Sequence, residues 1–266
     1  MFSYKNKVVW LTGASSGIGE ALTYELSKRG ARVIISSRRK EELEKVKGNC
    51  DVAVQGNIKI LPLDLAAADT LKLSVQAAIQ AFGHVDVLIN NGGISQRSLA
   101  TETSLEVDRR IMEVNYFGTI GLTKYLLPHL LSRKGGNIAV ISSLTGKFGT
   151  PYRSGYAAAK HALHGFFDSL RAELWKDNIK VTLIAPGFIQ TTISVSALTG
   201  DGTQLNKMDD AQQNGMPVKK AARKIANAIA KEKNEVYIGG KETLGVHIKR
   251  LFPGYFSRMI RKAKVR

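Results

Sequence analysis

Short apolar runs alternate with longer amphipathic stretches along most of this 266-residue chain. The short runs have the length of buried strands, and the stretches between them carry apolar residues at helical spacing. The pattern predicts seven strands, at residues 8–12, 32–36, 58–63, 85–90, 137–142, 180–184 and 236–238. It predicts helices at about residues 18–29, 39–47, 67–82, 104–132, 155–176 and 217–232.

This alternation predicts an α/β fold, a single-domain Rossmann-type, doubly wound parallel sheet with helices on both faces. No linker rich in proline, glycine or serine divides the chain, so we assign residues 1–243 to one domain. Two segments depart from the pattern. Residues 188–216 form a long polar stretch, which we interpret as a lid or binding loop for the substrate. Residues 244–266 form a basic amphipathic extension.

A cluster of glycines lies between the first predicted strand and the first predicted helix. Gly13, Gly17 and Gly19 have the spacing Gly-x3-Gly-x-Gly. Glycines at such a turn let main-chain N–H groups approach a pyrophosphate at the helix N-terminus. We therefore predict that a dinucleotide contacts this turn, through Thr12, Gly13, Ser15, Ser16, Gly17, Ile18 and Gly19.

The end of the second predicted strand indicates which dinucleotide binds. The chain reads Ser37-Arg38-Arg39 there, with no carboxylate before Glu41. A carboxylate at this place favours a free ribose hydroxyl, whereas arginine pairs with a 2′-phosphate. We predict NADP(H), with Arg38 pairing with the phosphate and Ser37 donating to it. The alternative is that Arg38 and Arg39 only begin a surface helix.

The candidate catalytic residues are Ser143, Tyr156 and Lys160, in the order Ser-x12-Tyr-x3-Lys. Tyr-x3-Lys also begins at Tyr24 and at Tyr237, but only the copy at Tyr156 has a hydroxyl residue thirteen positions earlier. A tyrosine phenol has a pKa of about 10, and an ammonium group one helical turn away stabilises its phenolate. We predict that Tyr156 is the general acid/base, that Ser143 polarises a carbonyl and that Lys160 tunes Tyr156.

Five motifs, in order over about residues 7–240, resemble the short-chain dehydrogenase/reductase family. They are Thr12-Gly-x3-Gly-x-Gly19, Asn90-Asn-Gly-Gly93, Asn115, Ser143 with Tyr156-x3-Lys160, and Pro186-Gly187 followed by Thr191. The resemblance implies hydride transfer between a nicotinamide and a substrate, and a homodimer or homotetramer formed through the two longest helices. It implies that Asn115 joins the catalytic residues, by connecting Lys160 to solvent through a water.

The same resemblance implies further contacts with the cofactor. Asp64 and Leu65 would border the adenine. The remaining contacts that it implies are Asn91, Gly92, Tyr156, Lys160, Pro186, Gly187, Ile189 and Thr191.

Residues 115–118, 153–161 and 186–191 are most similar to one subgroup of that family, members 7 and 7B of the dehydrogenase/reductase group. Those relatives act on lipid, steroid or retinoid carbonyls and associate with membranes. The resemblance therefore implies a small hydrophobic carbonyl substrate. We find no counterpart of their amino-terminal membrane segment in this chain, so we do not extend their localisation to it.

The composition adds an unusual charge, because 39 basic and 22 acidic residues give a net charge of +17. Such a charge favours an anionic partner, for example a phosphorylated cofactor, an acidic carrier protein or a membrane surface. The chain has no nucleic-acid-binding motif and no His, Cys and carboxylate cluster with metal spacing, so we expect neither nucleic acid nor a metal. A single cysteine, Cys50, and the lack of an apolar run of spanning length favour a cytoplasmic protein.

The extension has seven basic residues and no acidic residue after Glu242. In helical projection its apolar side carries Tyr255, Phe256, Met259 and Ile260. Two interpretations fit equally well. The extension is a helix that lies peripherally on the inner membrane surface, or it is a helix that folds over the substrate cleft or a subunit contact.

The leading functional interpretation is an NADP(H)-dependent oxidoreductase that acts on a carbonyl or a secondary alcohol. One alternative is a 3-oxoacyl-[acyl-carrier-protein] reductase, which the basic surface would suit. An alternative of another class is a non-catalytic protein that senses NADP(H) or binds a membrane surface.

Overall fold

Seven parallel strands form one sheet in the computed structural model, which describes residues 2–263. The spatial order is β3-β2-β1-β4-β5-β6-β7, so the predicted fold class is confirmed. The strands are β1 (Val8–Thr12), β2 (Arg32–Ser36), β3 (Ile58–Ile60), β4 (Val87–Asn90), β5 (Gly136–Ile141), β6 (Ile179–Pro186) and β7 (Glu235–Ile238). The α-helices are α1 (Gly17–Lys28), α2 (Lys40–Gly48), α3 (Val52–Gln55), α4 (Ala68–Phe82), α5 (Leu105–Met112), α6 (Gly118–Ser132), α7 (Ser154–Glu173), α8 (Asp210–Gln213), α9 (Val218–Ala230), α10 (Leu244–Leu251) and α11 (Pro253–Ile260).

The sheet is buried on both faces because side chains alternate along each strand. In β1, Val9 and Leu11 pack with α1 and α9 on one face. Val8 and Trp10 pack with α4, α6 and α7 on the other face. All four side chains are fully buried, which explains the uninterrupted apolar runs in the sequence.

The connections run in opposite directions from the middle of the sheet. The chain goes from β1 to β2 and β3 on one side, and then returns to β4 and continues to β7 on the other. The loops that follow β1 and β4 therefore diverge and leave a crevice at the carboxyl ends of these two strands. The N-terminus of α1 lies at this crevice.

Most predicted bounds agree with the structure to within two or three residues, and two departures have clear causes. Strand β3 covers only Ile58–Ile60, where it is in register with β2, although Leu63 N beyond it still donates to Ser37 O at 3.0 Å. The helix predicted at 104–132 is divided by a π turn at Glu113–Phe117. Inside this turn the side chain of Asn115 accepts a hydrogen bond from Ile94 N and donates one to Ile94 O.

The extension forms two short helices, α10 and α11, which we call the roof. They meet at Phe252, where Pro253 begins the second helix. Phe256 is only 5% exposed and packs against Phe148, with 5.0 Å between the ring centroids. Lys264 and Arg266, two of the basic residues noted in the sequence, lie outside the described residues. Within residues 2–263 no helix has the length and apolar character needed to cross a bilayer.

Candidate active site

A cleft of about 1200 Å³ lies at the carboxyl ends of the central strands. It is bounded by the glycine turn on one side and by the roof on the other. The predicted site residues that line it are Thr12, Gly13, Ser15, Ser16, Gly17, Ile18, Ser37, Arg38, Asp64, Leu65, Asn91, Gly92, Ser143, Tyr156, Lys160, Pro186, Gly187, Ile189 and Thr191. The lining does not include Gly19 or Asn115, which lie behind it.

The glycine turn has a conformation that only glycine adopts easily. Gly13 and Gly17 have φ values of +64° and +58°. A Cβ atom on Gly13 would lie 2.7 Å from Gly92 Cα, so the two backbones touch. Asn91 fixes the approach, because its Nδ2 donates to the carbonyl oxygens of Thr12 and Gly13 at 3.0 and 3.1 Å. The turn therefore presents its backbone to the cleft.

Gly19 contributes to the turn without facing the cleft. A Cβ atom at this position would overlap the carbonyl oxygen of Gly13. The sequence predicts Gly19 as a cofactor contact, whereas in the structure Gly19 allows α1 to approach the end of β1 closely. This close packing still serves the site, because it aims the N-terminus of α1 at the cleft.

Two arginines follow β2 at the mouth of the cleft, and both are exposed. Arg39 Nη2 donates to Ser15 Oγ at 3.1 Å and to Ser16 Oγ at 3.4 Å. The predicted ligand, Arg38, lines the same wall. Arg39 therefore reaches across to the glycine turn, a role that the sequence analysis did not assign. The sequence could have indicated this role of Arg39, because Arg39 directly follows Arg38.

The residues present suit a dinucleotide. Backbone N–H groups at the start of α1, two serine hydroxyls and two guanidinium groups lie at one end of the cleft, where phosphates would need donors and positive charge. A Cβ atom on Gly92 would lie 2.6 Å from Leu65 Cδ1, so there is no room for a side chain at this position beside the turn. Leu65 and Asp64 line the wall at that end.

The three predicted catalytic residues meet at the other end. Ser143 follows β5, and its side chain lowers the pKa of the Tyr156 phenol, which lines the same end of the cleft. Tyr156 lies in the first turn of α7 and is 8% exposed, with the exposed part on the cleft. Lys160, one turn later, donates from Nζ to the carbonyl of Ile141 at 2.8 Å. The ammonium is 5.7 Å from the centre of the Tyr156 ring.

Burial sets the proton affinities of this group. It raises the pKa of Tyr156, and the guanidinium groups of Arg153 and Arg97 and the hydrogen bond with Ser143 oppose that rise. Burial also lowers the pKa of Lys160 to about 8. The sequence pattern predicts that Lys160 tunes Tyr156, whereas in the structure the charges that lower the pKa of Tyr156 are those of Arg153 and Arg97.

These two arginines belong to a buried ion cluster that the sequence analysis missed. Asp209 Oδ2 lies 2.7 Å from Arg97 Nη2 and 3.3 Å from Arg153 Nη2. Both arginines line the cleft. The sequence did not indicate the cluster, because the type of a charged residue does not show whether it is buried or exposed to solvent.

Asn115 supports the site from behind. Its Oδ1 accepts from Ile94 N at 2.8 Å, and its Nδ2 donates to Ile94 O at 2.9 Å. A Cβ atom on Gly93 would lie 2.9 Å from Asn115 Oδ1 and 3.7 Å from Lys160 Nζ. Asn115 is therefore close to Lys160, although it does not line the cleft.

Residues 188–216, which we call the substrate segment, cover the catalytic end. Ile189 and Thr191 line the cleft there with Pro186 and Gly187. Gln212 holds this stretch in place, because its Nε2 donates to Ile189 O and, at 3.0 Å, to Thr191 Oγ1. No group of three or more His, Cys, Asp or Glu residues in the described part of the chain could hold a metal ion.

Comparisons with known proteins agree with this arrangement. Residues 7–201 match the family described as short chain dehydrogenase. The chain is 48% identical over 237 residues to a dehydrogenase/reductase SDR family protein 7-like of Anopheles gambiae, covering 87% of this chain and 74% of that protein. It is 44% identical to human dehydrogenase/reductase SDR family member 7, covering 87% and 69%. It is 40% identical to mouse member 7B, covering 96% and 80%.

Solved structures share the fold. A short-chain dehydrogenase from Streptomyces avermitilis superposes with a TM-score of 0.81 at 27% identity, covering 96% of this chain and 97% of that one. One from Burkholderia cenocepacia, solved in complex with NADP, gives 0.82 at 25% identity, covering 98% and 100%. These matches and the motifs confirm the resemblance: the chain belongs to the short-chain dehydrogenase/reductase family of oxidoreductases.

Proposed function

We propose that this protein transfers a hydride between NADP(H) and a carbonyl or secondary alcohol of a hydrophobic substrate. The observation that carries the proposal is the meeting of Ser143, Tyr156 and Lys160 at one end of a cleft whose other end is the glycine turn. A dinucleotide that lies along the cleft would bring its reactive end to these three residues.

The preference for NADP(H) rests on charge. Arg38 and Arg39 line the mouth of the cleft, and the first carboxylate after β2 is Glu41. A 2′-phosphate there would pair with guanidinium groups and would meet no nearby repulsion. When bound, the nicotinamide supplies or accepts a hydride at the substrate carbon.

The side chains divide the proton chemistry between them. During reduction, Tyr156 Oη gives its proton to the substrate oxygen as negative charge develops there. Ser143 Oγ donates a hydrogen bond to the same oxygen and orients it. The positive charges of Arg97, Arg153 and Lys160 stabilise the phenolate that remains. During oxidation the proton returns to Tyr156.

The lining of the catalytic end favours an apolar substrate. Aromatic and aliphatic side chains come from the loop after β5, from the substrate segment and from the roof. They include Leu144, Phe148, Phe188, Leu198, Ile248, Phe256 and Met259. An apolar substrate would leave water to contact these side chains, and each Å² of apolar surface buried would stabilise the complex by about 25 cal/mol.

The test is the variant Tyr156→Phe, with Tyr24→Phe as its matched control. Tyr24 repeats the Tyr-x3-Lys pattern on α1, but its hydroxyl bonds to Glu20. We expect Tyr156→Phe to lower NADPH-dependent turnover of ketones at least about a hundredfold and to leave NADPH binding, followed by fluorescence, nearly intact. Turnover equal to that of Tyr24→Phe would refute the proposal. A series of ketones of increasing chain length, with a carrier-linked 3-oxoacyl substrate beside them, tests the substrate class.

We further propose that the roof contacts an anionic membrane surface. Leu251, Phe252 and Tyr255 are each more than 60% exposed on it. Basic residues flank them, and no acidic residue follows Glu242. Apolar side chains beside basic ones are typical of a surface-lying membrane helix. The protein should then sediment with phosphatidylserine vesicles.

The double variant Leu251→Ser with Phe252→Ser tests the membrane contact. We expect it to lose vesicle binding. The control, Val52→Ser with Leu73→Ser, changes exposed residues elsewhere and should keep it. Equal binding by both would discard the membrane contact.

We also propose a homodimer or homotetramer formed through α5 and α6. These helices and the π turn between them expose Leu105, Phe117, Tyr125 and Leu131. A second copy of the chain would cover this apolar surface. Sedimentation of Phe117→Asp with Tyr125→Asp should show the monomer, and an unchanged assembly would contradict the interface.

A further inference from the structure

Four consecutive polar residues, Ser95, Gln96, Arg97 and Ser98, are buried shortly after β4, and none is more than 3% exposed. Burying polar side chains costs free energy unless they find hydrogen-bond partners. The partners of these residues therefore indicate what the stretch does. Besides one another and the nearby Thr103, these partners belong to two elements that are distant in the sequence: the N-terminus of α7 and the substrate segment.

Gln96 serves the N-terminus of α7. Its Oε1 accepts from Gly155 N at 2.9 Å and from Tyr156 N at 3.3 Å. These are N–H groups of the first helical turn, which have no partner within a helix. Arg153, the residue that precedes the helix, makes no capping hydrogen bond with its side chain. Gln96 thus caps from outside the helix on which Tyr156 lies.

Arg97 joins the same helix to the substrate segment. Its Nε donates to Asp209 Oδ2 at 2.7 Å, and its Nη1 donates to Ser95 Oγ at 2.6 Å. Asp209 Oδ2 also accepts from Arg153 Nη2 at 3.3 Å. Asp209 itself is 3% exposed. One carboxylate therefore contacts both the stretch after β4 and the residue that precedes α7.

The backbone strengthens this connection. Arg97 N donates to Leu198 O at 2.8 Å, and Leu198 N donates to Ser95 O at 2.8 Å. Leu198 and Asp209 both belong to the substrate segment. The segment is thus attached at two points to residues that also hold the start of α7.

We propose that Gln96, Arg97 and Asp209 are positioning residues that fix the substrate segment to the N-terminus of α7, and so keep the substrate in register with Tyr156. The kinetic part of this inference rests on the proposed function. The structural part does not, because the attachment exists whatever the cleft binds.

Two neighbouring aspartates give a matched test. Asp209 is buried in the cluster, whereas Asp210 is exposed at the start of α8. Asp209→Asn and Asp210→Asn remove the same charge one residue apart. We expect hydrogen–deuterium exchange across residues 188–216 to become at least about tenfold faster in Asp209→Asn and to be unchanged in Asp210→Asn. Equal exchange in the two variants would overturn the attachment.

Kinetics then test the positioning. A misplacement of about 1 Å can lower a rate about a hundredfold, so kcat/KM of Asp209→Asn should fall by about tenfold to a hundredfold, mainly through kcat. The pH profile should also shift to lower pH. Ser143, Arg97, Arg153 and Lys160 face Tyr156, and loss of the carboxylate strengthens the positive field of the arginines. Faster exchange with unchanged kcat/KM and pH profile would refute positioning.

Gln96→Met is the second variant, in case Asp209→Asn does not fold. It removes the acceptor of Gly155 N and Tyr156 N but keeps a side chain of similar size. We expect faster exchange in the first turn of α7 and a kcat loss of about tenfold. The absence of both changes would refute the role of Gln96. Full activity of Tyr156→Phe would refute the proposed function separately, since exchange is measured without substrate or cofactor.

Discussion

The two ends of the cleft are built in different ways. At the cofactor end, Gly13 and Gly17 adopt left-handed conformations, and Thr12 and Asn91 bond to neighbouring backbone at the ends of adjacent strands. At the substrate end, an ion cluster joins Arg97 to Asp209, which are 112 residues apart in the chain. The cofactor end depends on backbone shape, and the substrate end depends on long-range side-chain contacts. Perturbations should therefore affect the two ends differently.

The largest effect is expected for Lys160→Met, at the boundary between the two ends. Burial lowers the pKa of Lys160 to about 8, whereas a lysine in the unfolded chain titrates at about 10.4. Below pH 8 the folded protein carries a buried charge that costs stability. Between these pH values the unfolded chain binds more protons, so the free energy of unfolding rises with pH.

Urea denaturation at several pH values checks this prediction. Lys160→Met should lack the rise that the wild type shows between about pH 8 and 10.4, and should be the more stable protein at pH 7. Its turnover should fall at least about a hundredfold. Parallel stability profiles for the two proteins would contradict the buried charge.

Phe256 tests how firmly the roof is attached to the substrate end. Phe256→Ala removes a buried ring that packs on Phe148, and we expect a loss of about 3 kcal/mol in the free energy of unfolding. Phe252→Ala is the control, because its ring is 63% exposed and the change should stay within about 0.5 kcal/mol. Denaturant titration measures both. A similar loss in the two variants would mean that the roof does not pack as described.

At the cofactor end, Arg39→Ala should weaken NADPH binding selectively. Loss of a charge-assisted hydrogen bond is worth about 1.5–3 kcal/mol, or about tenfold to a hundredfold in Kd. NADH binding should not change. Lys40→Ala, a neighbouring exposed cation at the start of α2, serves as the control, and Arg38→Ala separates the two arginines. Equal weakening of NADH and NADPH would assign Arg39 to the pyrophosphate instead of the 2′-phosphate.

The smallest change is a single methyl group. Gly19→Ala places a Cβ atom against the carbonyl of Gly13, and we expect a loss of about 1–3 kcal/mol in stability. Gly48→Ala, at the end of α2, meets no atom within 4 Å and should be neutral or slightly stabilising. Thermal denaturation distinguishes the two. Identical melting temperatures would show that α1 can shift without cost.

The cofactor end was predictable because its information is local. Glycines with positive φ and a hydroxyl at a strand end can each be read within one element, and so can the spacing of Tyr156 and Lys160 at the opposite end. The substrate end was less predictable. Gln96 and Arg97 are residue types that usually lie on the surface, and only the packing of three distant segments buries them. The roof is intermediate, because the apolar side was predicted with Phe256 on it, whereas the break at Phe252 was not.

The π turn at Glu113–Phe117 has a consequence for aligning such chains. It holds one residue more per turn than an α-helix does. Before the π turn, α5 packs on α7, and after the π turn, α6 packs on α4. Deleting one residue within this turn would restore an α-helical turn and leave the downstream face unchanged, whereas a deletion in α6 would rotate everything after it by about 100°. An alignment gap placed elsewhere in α5 or α6 would therefore assign every residue between the gap and the π turn to the wrong side of the helix.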